Sequence, residues 1–167
     1  YIPLNSAEEI MGRYSEYCYI QSIAEKLKDK GRLGLEKNFI QHGTVSVLDH
    51  SIRVANISLM IADRFRMKVN RASLIRGALL HDYFLYDWHK KGEGHRLHGF
   101  RHPFSAVQKA KEDYIITKKE EGIIRSHMFP LVPVPPTSKE GWIVCLADKI
   151  SAFNETFFHR KKDQKTI

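Results

Sequence analysis

The sequence predicts an all-α fold that forms one domain over residues 1–167. Apolar residues recur every three or four positions through most of the chain, which places them on one face of a helix. No two alternating runs are joined by a hairpin dipeptide, so paired strands are not expected. Apolar residues make up 43% of the 167 positions and charged residues 28%, which excludes collagen-like, disordered and disulfide-stapled classes.

The first helix is predicted to begin at Ser6, because Glu9 follows at the spacing of a capping box. It is expected to end at Lys30-Gly31. Its apolar positions are Ile10, Tyr14, Tyr17, Ile20, Ile23 and Leu27. A second helix, from about Val45 to Phe65, has apolar residues on two nearly opposite faces. Because both faces must be covered, we expect this helix at the centre of the fold.

The third helix is predicted to begin at Asn70, and its apolar residues lead directly into the pair His81-Asp82. Residues 83–101 combine aromatic and basic side chains with three glycines, which predicts a long functional loop. Pro103 is typical of a first helical turn, so a short fourth helix is expected to begin there and to end near Tyr114.

The fifth helix is predicted from about Lys119 to Met128, before a turn that contains four prolines between positions 130 and 136. Thr137 and Glu140 repeat the capping-box spacing and predict the start of the last helix. The basic tail over residues 159–167 has no apolar stripe, so we expect it to be frayed and solvated.

Charge and cysteine content indicate which class of partner the chain binds and in which cellular compartment it is expected. The chain has 27 Lys and Arg against 19 Asp and Glu, and the net charge of +8 predicts an anionic partner, such as a phosphorylated small molecule, nucleic acid or a lipid headgroup. Cys18 and Cys145 lie within apolar helical patterns, which predicts buried, reduced thiols and a cytoplasmic protein. The opening residues lack the pattern of a secretory signal and no apolar run is long enough to cross a membrane, so neither feature is expected.

Several histidines and an aspartate interrupt apolar helix faces. Three of the nine histidines, His50, His81 and His127, lie on faces assigned to the core, and Asp148 interrupts an apolar run in the last helix. A buried polar side chain without a partner costs on the order of 1 to 3 kcal/mol, so each of these needs a hydrogen bond or a metal. Imidazole and carboxylate groups from several helices are typical ligands of divalent transition metals, so the sequence predicts a metal site.

An ordered series of motifs carries these residues. The segments are DHSIRVA with His50, GALLHDY with His81-Asp82, RHPFSA with His102, IIRSHMFP with His127 and CLADKISA with Asp148. Their order on successive helices resembles the HD-domain superfamily of metal-dependent phosphohydrolases, over about residues 42–155. Within the superfamily the chain is most similar to small, stand-alone bacterial hydrolases.

The resemblance implies a helical bundle with one or two divalent ions between its central helices. The ligands that it implies for the first ion are His50, His81, Asp82 and Asp148. For a second ion they are His102 and His127, with Asp82 as the bridge. His98 precedes His102 by one helical turn and is an alternative or additional ligand. Nitrogen and oxygen ligands fit Mn, Fe, Co, Ni or Zn, and Mg where carboxylates dominate.

Four residues near the metal ligands are candidates for catalysis. Asp82 would act at the metal itself, and the cations of Arg53 and Lys149 would stabilise negative charge in the transition state. Asp87 would be a general acid or base, or a partner that orients a ligand histidine.

Arg53 and Lys149 could also have purely structural roles. Arg53 could instead pair with an aspartate such as Asp49 or Asp148, and Lys149 could extend into water.

The predicted loop over residues 83–101 offers contacts to the substrate. Trp88 is expected to stack on it, and Arg101 is expected to contact a phosphate.

Three functions fit these residues. The favoured one is hydrolysis of a nucleotide or other small phosphoester by a metal-activated water. A di-iron oxygenase uses the same ordered ligand set within the superfamily, and a non-catalytic module would use the basic surface to bind RNA or an acidic protein, with a closed metal site. Hydrolysis is favoured because every ligand position is filled. The sequence has no Walker loop, no H-E-x-x-H motif and no nucleophile elbow.

Overall fold

The computed structural model describes the backbone of residues 7–42, 44–85 and 98–163, and the side chains of residues 11–41, 44–85 and 100–157. Within these ranges the chain forms six α-helices, one 3₁₀ helix and one pair of very short strands. The helices are α1 (Ala7–Lys30), α2 (Val47–Arg64), α3 (Arg71–Leu80), α4 (His98–Asp113), α5 (Lys118–Ser126) and α6 (Lys139–Asp163). The 3₁₀ helix is Leu33–Asn38, and the strands are β1 (Ile40–His42) and β2 (Val45–Ser46). The predicted all-α class is confirmed.

The helix starts follow local capping chemistry. Asn70 caps α3 as predicted, because its side-chain oxygen accepts a hydrogen bond from the backbone N–H of Ser73 at 2.9 Å. Ser46 caps α2 in the same way through the N–H of Asp49. Thr117 caps α5 with a complete capping box, and the helix begins at Lys118, one residue before the predicted start.

The central position predicted for the second helix is confirmed. α2 packs against α3 and α6 and also contacts α1 and the 3₁₀ helix. Small residues spaced at three and four positions along α2, Ser51, Ala55, Ser58 and Ala62, are all buried. Small side chains let neighbouring helices approach closely, so polar groups on α2 can reach side chains on both α3 and α6.

The prediction of a loop over residues 83–101 was wrong at both ends of this range that the structure describes. Tyr83 and Phe84 are buried in the core, and Tyr83 hydrogen bonds to Asp113 at the end of α4. At the other end, α4 already begins at His98, so Pro103 lies inside this helix and not in its first turn. Residues 86–97 lie outside the described residues.

The first helix was also only partly predicted. Ile20, Ile23 and Leu27 are buried as expected, but Tyr14 and Tyr17 are exposed. Cys18 is exposed as well, which corrects the prediction of a buried thiol, whereas Cys145 is buried. Tyr14 and Tyr17 therefore do not contribute to the core.

Three smaller corrections concern the strands and the last helix. The prediction that no strands pair was wrong at one place, because β1 and β2 pair antiparallel, with Ile40 opposite Ser46. α6 is capped by Ser138, whose hydroxyl accepts from the N–H of Gly141, and not by Thr137. Its backbone stays helical to Asp163, so the first half of the basic tail is not frayed there. None of the described helices is long and apolar enough to span a lipid bilayer.

The contact between α3 and α5 gives a stability prediction. A Cβ atom on Gly77 would lie 2.7 Å from Cγ2 of Ile123, which is too close for a packed core. We expect Gly77→Ala to destabilise the protein by about 1 to 3 kcal/mol, because overpacking outweighs the gain of up to about 1 kcal/mol in helix propensity. Chemical denaturation would measure this change.

Gly12 provides the matched control. No atom lies within 4 Å of a Cβ built on Gly12 in α1, so Gly12→Ala should stabilise the protein by up to about 1 kcal/mol. Equal stabilisation by both substitutions would show that α3 and α5 do not pack as closely as described.

Candidate metal centre

Six buried polar side chains from five helices meet at the centre of the molecule. His50 belongs to α2, His81 and Asp82 directly follow α3, His102 belongs to α4, His127 directly follows α5 and Asp148 belongs to α6. Each of the six residues is buried. Asp148 has the most exposed side chain of the six, at 11%, so solvent reaches the group on the α6 side.

Two of the histidines are positioned by the same device at the end of a helix. His81 Nδ1 lies 2.7 Å from the carbonyl oxygen of Ala78, and His127 Nδ1 lies 2.7 Å from that of Ile124. A carbonyl oxygen can only accept a hydrogen bond, so Nδ1 carries the proton in both rings. Their Nε2 atoms are therefore left to face the centre, as is typical of metal-binding histidines.

Asp82 lies between two sets of imidazoles and offers one oxygen to each. Its Oδ2 atom is 3.3 Å from Nε2 of His81 and 3.9 Å from Nε2 of His50. Its Oδ1 atom is 3.1 Å from Nε2 of His102 and 3.5 Å from Nε2 of His127. The two oxygens of this one carboxylate can thus serve two neighbouring groups of ligands.

The α6 side of the centre is built around His50. Its Nε2 lies 3.1 Å from Asp148 Oδ1 and its Nδ1 lies 2.9 Å from Glu155 Oε2. Glu155 is itself buried and accepts hydrogen bonds from Arg53 at 3.0 Å and Ser151 at 2.8 Å. A carboxylate on Nδ1 fixes the orientation of the ring and makes Nε2 a better metal ligand.

The electrostatics of the centre favour positive charge in its middle. Burial lowers the pKa of His50, but its hydrogen bonds to Asp148 and Glu155 outweigh burial and raise the pKa to about 9. Burial would raise the pKa values of Asp82 and Asp148, yet the surrounding histidines hold both well below the usual range. Burial lowers the pKa of His127, which keeps this imidazole neutral at pH 7. Ionised carboxylates that face imidazole nitrogens attract a cation.

The arrangement fits a divalent transition metal. Two groups of buried side chains have ligand atoms within 4.8 Å of one another, namely His50, His81 and Asp148, and His81, Asp82 and His127. His81 Nε2 is buried and forms no hydrogen bond in spite of the nearby carboxylates. His102 Nε2 and His127 Nε2 approach to 2.8 Å. Nitrogen and oxygen atoms that converge in this way are the ligand set of Mn, Fe, Co, Ni or Zn.

Two residues of the centre were missed by sequence analysis. Glu155 was overlooked because nothing in its local sequence marks it as a partner of His50, from which it is 105 positions distant. Gln41 lies in β1, and its side-chain amide donates a hydrogen bond to Asp82 Oδ2. Gln41 is buried within the short strand pair, which no sequence pattern predicted.

Two of the three predicted cations, Arg53 and Lys149, are hydrogen bonded to other groups of the protein. Arg53 pairs with Glu155, and so with neither Asp49 nor Asp148. Lys149 Nζ donates to the carbonyl oxygens of His127 at 3.1 Å and Cys145 at 3.3 Å, so it links α6 to the end of α5. Arg101 is exposed on α4, next to His102.

Three further predicted residues cannot be compared with the structure. Asp87 and Trp88 lie outside the described residues, and so does the side chain of His98, which was the alternative to His102.

The hydrogen bond from His50 to Glu155 gives a metal-binding prediction. We expect Glu155→Gln to weaken metal binding by about 10- to 100-fold, because the amide cannot supply the negative charge that makes His50 a strong ligand. Isothermal titration with the metal would measure the loss. Thr156→Val is a suitable control, because Thr156 is an exposed neighbour that bonds only to the carbonyl of Ala152. Equal metal affinity in the two variants would contradict the role of Glu155.

Comparison with known proteins gives one match. The family model described as HD domain matches residues 47–152, which is more than half of the chain. The matched range contains all six residues at the centre, whereas Gln41 and Glu155 lie outside it. No curated protein and no solved structure matches the chain.

Proposed function

The chain belongs to the HD-domain family, and we propose that it is a metal-dependent phosphohydrolase that acts on a nucleotide or another small phosphoester. One observation carries this proposal: the six polar residues expected from the family order converge in one buried cluster, with their ligand atoms turned inward. Keeping so many polar groups buried is costly unless a metal compensates them.

The proposed metal ligands form two sets that share Asp82. The set on the α2 and α6 side is His50, His81, Asp82 and Asp148. The set on the α4 and α5 side is His102, His127 and Asp82. Bound divalent metals would lower the pKa of water toward neutrality and polarise the oxygens of a phosphoester. Two ions are favoured over one because the two oxygens of Asp82 face different histidines, with Oδ2 toward His81 and Oδ1 toward His102.

The chain's own residues would prepare this chemistry in three ways. The carbonyls of Ala78 and Ile124 hold the Nδ1 protons of His81 and His127, so that Nε2 is the nitrogen that each ring would offer to a metal. Glu155 does the same for His50. Burial excludes most water from the cluster, which strengthens every electrostatic interaction within it.

We assign substrate binding to cations and side chains that neighbour the proposed ligands. Arg101 is our first candidate for a phosphate contact, because its guanidinium is exposed beside a proposed ligand. Lys149 could contact phosphate only by giving up its bonds to the carbonyls, and Arg53 would have to share its charge with Glu155. Trp88 and Asp87 remain proposed for substrate contact and for general acid or base chemistry.

The proposal is tested by metal analysis combined with a substrate screen. The purified protein would be analysed for bound metal and then incubated with nucleotides and simple phosphoesters, with release of phosphate or nucleotide as the readout. We expect hydrolysis that depends on the metal and is lost on chelation. Metal content without hydrolysis of any phosphoester would overturn the proposal, and oxygen uptake by the iron-loaded protein would favour oxygenase chemistry instead.

The phosphate contact gives a kinetic prediction. We expect Arg101→Gln to raise KM by about 10-fold and to leave the metal content unchanged, because one charge-assisted hydrogen bond contributes about 1.4 kcal/mol. Lys111→Gln removes the same charge at the far end of α4, where Lys111 pairs with Glu121, and should have little effect. If removal of the chain beyond His159 abolished activity while Arg101→Gln did not alter it, the substrate would instead be an extended polyanion such as RNA.

A further inference from the structure

The outer face of α6 carries a continuous stripe of large apolar side chains. Successive members are three or four positions apart, so they fall within about 80° of the helix circumference at about 100° per residue. Their exposed fractions run from 37% to 59%. Two of them, Phe153 and Phe157, pack on each other with ring centroids 4.4 Å apart. The members of this α6 stripe are Trp142, Leu146, Ile150, Phe153 and Phe157.

The α6 stripe continues into an apolar groove between α6, α1 and α2. The groove has a volume of about 750 Å³, and Ile150 belongs both to it and to the stripe. Met60 and Phe65 line its α2 side and are 52% and 71% exposed. Stripe and groove together expose roughly 700 Å² of these side chains, close to the roughly 800 Å² that each partner contributes to a standard interface. Apolar patches of this size mark interaction sites on soluble proteins.

We propose that the α6 stripe binds the same stripe of a second copy of this chain, with the two helices antiparallel about a two-fold axis near Ile150. This inference concerns an interaction surface, and it depends neither on the metal nor on the reaction of the proposed function. A two-fold interface pairs one surface patch with itself, so the patch must be complementary to its own reverse.

The order of side chains along the α6 stripe meets this requirement. Two members precede Ile150, by four and eight positions, and two follow it, by three and seven. In an antiparallel pair, Leu146 of one copy therefore lies beside Phe153 of the other, and Trp142 lies beside Phe157. Aromatic rings at both ends and aliphatic side chains in the middle would thus meet at matching heights along the two helices.

The charges of α6 favour an apolar partner such as a second copy. Only three ionisable acidic or basic residues lie between positions 142 and 157, and two of them, Asp148 and Glu155, are buried. The third is Lys149, whose Nζ donates to the carbonyl oxygen of His127 and so is directed away from the stripe. An acidic peptide would find no available cation along this face, whereas the stripe of a second copy brings no charge to be buried.

The two sides of the α6 stripe are complementary as well. Ile150 lies on the side of the groove, whereas Lys149 lies on the other side, where it contacts the end of α5. The turn that follows α5 carries Leu131, which is 47% exposed. A two-fold axis reverses the directions along and across the helix, so the turn of one copy would lie over the groove of the other.

The test measures self-association of the full chain by sedimentation equilibrium. We expect a dimer of 19.4-kDa chains that strengthens as salt is added, because the net charge of +8 opposes association and salt screens it. Leu146→Glu and Phe153→Glu should each raise the dissociation constant at least 100-fold, because each would bury a charge without a partner. Ile115→Glu is the matched control, since Ile115 is 97% exposed between α4 and α5, and it should dimerise as the parent does.

Oxidative cross-linking tests the antiparallel arrangement without charged substitutions. It uses a Cys18→Ser background, which removes the exposed native thiol. Ile150→Cys should give a covalent dimer, because the two copies of position 150 meet at the axis. Phe157→Cys should not, because its two copies would lie roughly 20 Å apart along the helix direction.

Three results would overturn the inference. A parent protein that stays monomeric at every concentration would leave the α6 stripe to a different apolar partner. A dimer that persists in both folded glutamate variants, as judged by circular dichroism, would place the interface elsewhere. Cross-linking of Phe157→Cys as readily as Ile150→Cys would exclude the antiparallel pairing.

Discussion

Asp82→Ala is expected to remove both the bound metal and catalytic turnover. Asp82 is the residue that both proposed sets of ligands share, with Oδ2 toward His81 and Oδ1 toward His102. Removing its carboxylate takes away the one negative charge that the two sets share and leaves several imidazoles facing one another. Since a bound metal supplies several kcal/mol of transition-state stabilisation, we expect turnover to fall on the order of 1,000-fold or more.

The measurement combines elemental analysis with kinetics on the same preparations. Asp63→Ala is the matched control, because Asp63 is an aspartate at the exposed end of α2 that pairs with Arg71. The control should retain metal and activity. Circular dichroism would establish that the Asp82 variant is folded. Full metal content and normal turnover in folded Asp82→Ala protein would rule out the proposed ligand sets.

The core and the histidine positions were predictable because they depend on local patterns. The apolar run of α3 leads directly into His81-Asp82, so the direction of the helix also gives the direction of these side chains. The capping residue Asn70 belongs to the same segment and gave the start of that helix correctly. Where apolar periodicity and a capping residue agree within one segment, a single sequence is sufficient to predict the helix and the side chains at its end.

The remaining features depend on contacts between distant segments. Glu155 gains its role only because α6 packs along α2 and brings it to His50. Gln41 lies in a three-residue strand, which is too short to leave a periodic signal. The start of α4 was misplaced because Pro103 is tolerated inside the helix, against the general preference for the first turn. Tyr14 and Tyr17 fit an apolar stripe, but both are exposed among the described residues.

The second large effect concerns the number of metal ions, which His127 is placed to decide. The Nδ1–H group of His127 donates a hydrogen bond to the carbonyl of Ile124. Burial lowers the pKa of the ring, so Nε2 keeps a free electron pair at neutral pH. That atom lies 2.8 Å from Nε2 of His102 and 3.5 Å from Asp82 Oδ1. Two nitrogens and an oxygen that converge on one side of Asp82, away from His50, are a sufficient set of protein ligands for a second ion.

We therefore expect His127→Ala to lower the metal content from about two ions per chain to about one, with loss of turnover, because two-ion hydrolysis needs both positions filled. The ion held by His50, His81 and Asp148 should stay bound, since none of these residues is changed. Elemental analysis against the parent protein measures the difference. Ser126→Ala is the control, because it alters the buried neighbour that bonds to Gly122 and leaves both ligand sets intact. An unchanged metal content in His127→Ala would instead assign His102 and His127 to binding the substrate or orienting Asp82, and would make the site mononuclear.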